Sequence, residues 1–126
     1  MPDTKHEITV EAQAVYIPDQ SDADKRRYVF AYRIKITNTG TIASKLISRH
    51  WIITDANGRV EEVKGEGVVG EQPLLHPNES FEYTIGTAIA TPVGSMRGSY
   101  QMVADDGMKF DAPIPEFTLA MPRMLH

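Results

Sequence analysis

The sequence contains no cysteine. That excludes disulfides, thiolate metal sites and cysteine nucleophiles, and it fits a reducing compartment. No apolar run approaches the ~20 residues that a bilayer-crossing helix needs. Met1 to Val10 has no apolar stretch of signal-peptide kind and includes Asp3 and Glu7. These absences predict a cytoplasmic protein that does not insert into a membrane. Basic residues are the minority, 13 against 17 acidic, for a net charge of −4. Duplex binders present a clustered basic face, so nucleic acid is not an expected partner. Helical periodicity of useful length is also missing.

What is present is alternation. The hydrophobic fraction of 41% in 126 residues suits one folded domain spanning 1–126. Such a chain buries roughly two thirds of its unfolded surface and needs no staples. From Glu7 to Ile17, Ile8, Val10, Ala12, Ala14 and Tyr16 share one face. From Tyr28 to Thr37, Tyr28, Phe30, Tyr32, Ile34 and Ile36 share one face, as the interior of a sandwich requires. Lys45 to Asp55 is apolar on both faces, with Ile47, Arg49, Trp51 and Ile53 on one and Leu46, His50 and Ile52 on the other. That predicts a central strand. Asp55-Ala56-Asn57-Gly58 and Asp105-Asp106-Gly107 are hairpin turns. Arg59 to Lys64 is a charged edge strand. Glu79 to Ala90, Ser95 to Ala104 and Met108 to Ile114 complete the set, with Phe117 and Leu119 as a last pairing and residues 121–126 as a loose tail. Gly98 marks a bulge or a close approach, and Pro113 and Pro115 confine their strand to an edge or end it. The fold class predicted is all-β, an immunoglobulin-like antiparallel sandwich of about seven to eight strands.

The chain's only apparent ligand fingerprint is Gly65-Glu66-Gly67-Val68-Val69-Gly70-Glu71-Gln72-Pro73. Gly65, Gly67 and Gly70 have the spacing of a pyrophosphate cradle, in which backbone amides and a helix N-terminus meet the phosphates. A strand precedes the motif, but Gln72-Pro73 interrupts any helix after it, and Glu66 and Glu71 repel phosphate. The competing reading is a connecting loop whose glycines take positive φ, pinned by Val68 and Val69.

The glycine stretch, Leu75-x-Pro77-x-Glu79-x-Phe81-x-Tyr83, Thr91-Pro92-x-Gly94-x-Met96-x-Gly98-x-Tyr100, Phe110 and Ile114-Pro115-x-Phe117-x-Leu119 together resemble the ApaG (CorD) family over nearly the whole chain. The resemblance implies a fibronectin type III-like β-sandwich. It implies a link to cobalt tolerance and magnesium efflux in bacteria. It also implies a partner-binding role, because the same domain ends certain F-box proteins and a polymerase-delta-interacting protein. No enzymatic activity is firmly tied to the family. The family's usual Pro-Gly-Glu is Pro77-Asn78-Glu79 here, and Asn tolerates the left-handed conformation such a turn needs.

The remaining candidates for chemistry are few. Glu61 and Glu62 point to opposite faces of a strand and form no carboxylate pair. No Gly-x-Ser-x-Gly elbow exists. His6, His50, His76 and His126 form no paired motif, so no metal site and no cofactor are expected. Arg49 and His50, beside Trp51, either line a cleft or sit at the sandwich rim. Lys25-Arg26-Arg27 is either a small anion patch or a solvated loop balanced by Asp19, Asp22 and Asp24. The reading is therefore a non-enzymatic module that binds a protein partner. Its candidate contact residues are Gly65, Gly67, Gly70, Arg49 and His50, with weak homodimerisation through a sheet edge. The alternative is a nucleotide, phosphate or divalent cation held at Gly65–Gly70.

Overall fold

The computed structural model describes residues 4–122. Its strands are β1 (Ile8–Tyr16), β2 (Tyr28–Asn38), β3 (Ser44–Asp55), β4 (Val60–Glu66), β5 (Leu74–Leu75), β6 (Ser80–Ile89), β7 (Val93–Ala104) and β8 (Lys109–Ala120). One sheet has the order β1-β2-β6; the other runs β4-β3-β7-β8, with β5 also paired to β3. Every pairing is antiparallel. The two sheets enclose one core and form the expected immunoglobulin-like sandwich.

The alternation of β2 holds from Phe30 to Ile36; at its start Tyr28 is half-buried and Val29, on the outward face, is buried as well. Phe30, Tyr32, Ile34 and Ile36 are buried against Leu46, Trp51, Ile53, Met96, Tyr100, Met102, Ile114 and Leu119 of the facing sheet. Trp51 meets Tyr32, Tyr100 and Phe117 in edge-to-face contacts with centroids 5.4, 6.4 and 6.0 Å apart. Such geometry adds about 0.5–1.5 kcal/mol per pair beyond the area buried. β3 is central and β4 and β8 are edges, as the apolar faces, the charges and the prolines predict.

Two bulges alter the faces. The register of β3 against β7 shifts between Leu46 and Ser48. Leu46 is therefore fully buried, in phase with Arg49, Trp51 and Ile53, while Ile47 leaves the inward set. The expected grouping of Ile47 with Trp51 and of Leu46 with His50 is corrected by this one extra residue. A second shift, opposite Met96 and Gly98, lets β8 change phase. Ala112 and Ile114 face inward before it and Leu119 after it, so the strand runs unbroken through Phe117. Gly98 sits beside this bulge, and a Cβ there would lie 2.1 Å from the His50 carbonyl oxygen. Both readings of Gly98 hold.

The turns follow their side chains. In the β3–β4 hairpin Asp55 Oδ1 accepts from the Asn57 and Arg59 amides, and Gly58 takes φ +82°. In the β7–β8 hairpin Asp106 Oδ1 accepts from the Met108 amide and Gly107 takes φ +85°. Asn78 takes φ +71°, the left-handed conformation expected of it. The next residue, Glu79, accepts from the His76 amide and ring at 2.7 and 2.6 Å. The crossing segment after Pro73 contains β5, which was not expected. Buried Asn38 holds that segment by donating from Nδ2 to the carbonyls of Ile42 and Leu75, both at 2.9 Å. Of the expected tail, residues 123–126, His126 included, lie outside the described residues; Met121 still donates to the Pro92 carbonyl at 2.9 Å.

One flank of the sandwich is closed by β1 packing on β8. The opposite flank lies between the two remaining edges, β4 and β6. It is open. Ile85 shares its face of β6 with buried Tyr83 and Ile89, yet it is 42% exposed.

Candidate functional site

The glycine stretch is built from the end of β4 and a tight hairpin. Gly65 and Glu66 still belong to β4 and pair with Arg49 and Ser48 of β3. The Gly67 amide donates to the Ile47 carbonyl at 2.8 Å. Val68 and Glu71 then exchange amide-to-carbonyl bonds of 2.8 and 2.9 Å across a two-residue turn. Its central residues, Val69 and Gly70, have φ of +44° and +81°, the primed turn that favours Asn-Gly. No helix begins at Gly70, and the amides of Gly67, Val68 and Glu71 are committed to protein carbonyls. The geometry does not supply the cradle that a pyrophosphate reading needs.

Each glycine has its own reason. Gly67, at φ +62°, has its would-be Cβ 2.2 Å from the Glu71 carbonyl oxygen. Gly65 leaves room for the Arg49 guanidinium, whose Cζ would be 2.8 Å from an added Cβ. Gly70 faces open space and is needed only for its turn angle. Val68 is buried at 1% exposure, as the pinning role requires. Val69 is not: it stands at the turn tip, 53% exposed and in a conformation that β-branched residues rarely adopt.

Arg49 and His50 part company. Arg49 shares the inward face with Trp51, and its Nη1 donates to the carbonyls of Glu66 and Gly67 at 2.9 and 3.0 Å. His50 faces outward and meets the Glu62 carboxylate at 3.2 Å. The two side chains look to opposite sides of the sheet, yet both residues, with Gly65, line one shallow cleft beside Lys64 and Gln101.

Around Arg49, three phenols gather. Tyr83 and Tyr100 share a 2.5 Å hydroxyl–hydroxyl hydrogen bond across the sandwich. Burial pushes the Tyr32 phenol up to about 12, with Tyr83 adding and Arg49 opposing. Burial likewise raises Tyr83, and it raises Tyr100 far above the usual range, with Tyr83 and then Tyr32 contributing. At neutral pH all three are un-ionised hydroxyls and serve as hydrogen-bonding groups. Beside them a cleft of about 220 Å³ opens on the β4–β6 flank, lined by Tyr32, Arg49, Trp51, Val69, Tyr83 and Ile85 among others. Sequence reasoning found Arg49 and the loop. It missed the phenols because alternation marked them as core, and the open flank depends on sheet order.

The same flank holds a second cleft, of about 380 Å³, where Lys25, Arg26, Arg27 and Arg59 meet. The stretch from Asp24 to Arg27 is exposed, as a solvated loop requires, and Asp22 Oδ1 accepts from the Asp24 amide. Among the described residues, no group of three or more His, Asp or Glu is placed to hold a metal ion. No helix of the described residues is long and apolar enough to cross a membrane.

A β-sandwich with an open flank and a glycine-anchored hairpin is thus the class of domain that the geometry defines. Comparison with known proteins gives the family. The sequence profile of the ApaG domain matches residues 18–104. Protein ApaG of Nitrosospira multiformis is 64% identical over 122 residues, covering 97% of this chain and 96% of that one. Protein ApaG of Thiobacillus denitrificans is 65% identical over the same length and shares. The crystal structure of the ApaA protein from Bordetella pertussis superposes with a TM-score of 0.93 at 54% identity, covering 98% of this chain and all of that one. The chain belongs to the ApaG family.

Proposed function

We propose that this domain is a non-enzymatic binding module that presents its β4–β6 flank to a protein partner. The observation that carries the reading is Val69. It is an apolar, β-branched residue held at φ +44° and 53% exposed, next to exposed Ile85 and above the Arg49–tyrosine cleft. Strain of this kind persists where a surrounding structure over-determines it, and it concentrates at binding sites. An apolar tip over a cleft with phenol and guanidinium groups has the composition of an interface core. In this reading the family's link to cobalt tolerance and magnesium efflux follows from the partner, not from an ion held by this chain. Weak self-pairing through the edge of β4 belongs to the same reading.

A photo-crosslinking amino acid placed at Val69 in a bacterial lysate tests it. The expected result is a discrete protein adduct at position 69 and none when the same group replaces Gln13 on the far sheet. Absence of any adduct above the Gln13 background refutes the reading.

A further inference from the structure

The four cations of the second cleft are drawn from distant parts of the chain. Lys25, Arg26 and Arg27 come from the β1–β2 connection and Arg59 from the β3–β4 hairpin. All four are exposed. They form no ion pair among the described residues, where the Arg/Lys pair recorded is Arg33 with Glu82. They stand out on a chain whose net charge is −4. The floor beneath them is apolar, made by Ile53, Ala88, Ile89 and Ala90. Two acids also line the cleft. They are Asp55, whose Oδ1 accepts from its own turn, and Glu61 of β4, so four cations face two carboxylates and the cleft is net positive. Ala88 and Ile89 belong to β6, which ends its sheet and so has one side without a strand partner.

From these features we infer that the cleft and the free edge of β6 take an extended acidic segment of a partner protein. The segment adds as a strand to β6, places its carboxylates among Lys25, Arg26, Arg27 and Arg59, and lays an apolar residue over Ile53 and Ile89. An apolar floor under a basic rim fits alternating acidic and apolar side chains, because successive residues of a strand point to opposite sides. A bare polyphosphate would leave that floor unused. Glu61, Glu62 and Glu66 along β4 repel an acidic strand there, which assigns the segment to β6. This inference rests on the partner-binding reading and names the chemistry of the partner.

The test uses a labelled peptide of alternating Glu and Val, about twelve residues long to match a strand, followed by fluorescence anisotropy and amide NMR. The wild-type domain is expected to bind it, with shifts at Ile85 to Ala90. The Arg27→Glu and Arg59→Glu pair is expected to weaken binding at least about tenfold, as loss of charge complementarity should, while the unchanged melting temperature of these exposed variants verifies folding. A Lys-Val peptide of equal length is expected not to bind. In the peptide experiments any of four results overturns the inference: no binding of the Glu-Val peptide, equal binding of the Lys-Val peptide, complete displacement by millimolar tripolyphosphate with no shift at Ile85 or Ile89, or saturation of the cleft by a second copy of the chain. If the Val69 adduct forms equally in Arg27→Glu/Arg59→Glu, this inference fails while the partner-binding reading stands.

Discussion

Tyr83 of β6 and Tyr100 of β7 join the two sheets through hydroxyl oxygens 2.5 Å apart, one of few polar links inside an apolar interior. A buried hydroxyl deprived of its partner costs about 1–3 kcal/mol, whereas removing both partners together is nearly neutral. Tyr100→Phe removes one of two partners of the Tyr83 hydroxyl, which also meets Trp51, and is therefore expected to destabilise the domain by about 1 kcal/mol, the low end of that range. Tyr83→Phe/Tyr100→Phe is expected to lose less than the sum of the single changes. A double-mutant cycle in urea reads the coupling directly; strictly additive losses would show that the bond contributes nothing specific.

The same phenols set the alkaline limit of the fold. The folded-state pKa of Tyr32 is about 12, above its ordinary value of 10.0, and Tyr83 and Tyr100 are also raised. A raised pKa means the unfolded chain releases these protons first. The associated stability is fully present below pH 10 and is lost as pH climbs toward and through 12. Ultraviolet difference titration should record a late tyrosine step that coincides with loss of near-ultraviolet dichroism. Ionisation of every tyrosine near 10 in a still-folded protein would contradict the buried cluster.

Val69 offers a stabilising change. Asn accepts positive φ at the first position of this turn far better than a β-branched residue. Val69→Asn is expected to raise stability by about 0.5–1 kcal/mol, the gain usual when turn chemistry is corrected. It should at the same time weaken the partner adduct probed from a neighbouring position such as Ile85. Higher melting temperature with unimpaired binding would mean that the valine is incidental.

Gly67 and Gly70 should behave differently although they share a motif. Alanine at Gly67 meets a positive φ, costing about 1–2 kcal/mol, and the Glu71 carbonyl, which adds overpacking of about 1–3 kcal/mol. Alanine at Gly70 meets open space and bears the turn strain alone. Urea midpoints should fall markedly for Gly67→Ala and modestly for Gly70→Ala. The Gly67 change thus reports folding, and it cannot serve as a clean test of ligand binding.

Much of this architecture was legible in the residues. The alternation of Tyr28 to Ile36, the doubly apolar strand around Trp51, the Asn-Gly and Asp-Gly turns and the prolines of β8 each carry a physical requirement that the fold meets. Bulges were not legible. A single extra residue at Ile47 or near Pro115 leaves composition and propensity unchanged while reversing every face beyond it. The site was half legible. Arg49 and the glycines were visible as oddities, but Val69 looked like core because its neighbour Val68 is core. The convergence of Lys25, Arg26 and Arg27 with Arg59 depends on which strands form edges, and local pattern does not encode that.

The strand framework has one further consequence. β1 starts where β2 meets β3, at the pairing of Ile8 with Asn38, and β8 finishes where β3 turns into β4, at the pairing of Ala120 with Val93. Chain therefore enters at one pole and leaves at the other, and both strands occupy the closed side. A module fused ahead of β1 therefore sits at the pole remote from the Lys25–Arg59 cleft, whereas one fused after β8 lies at the pole that this cleft occupies.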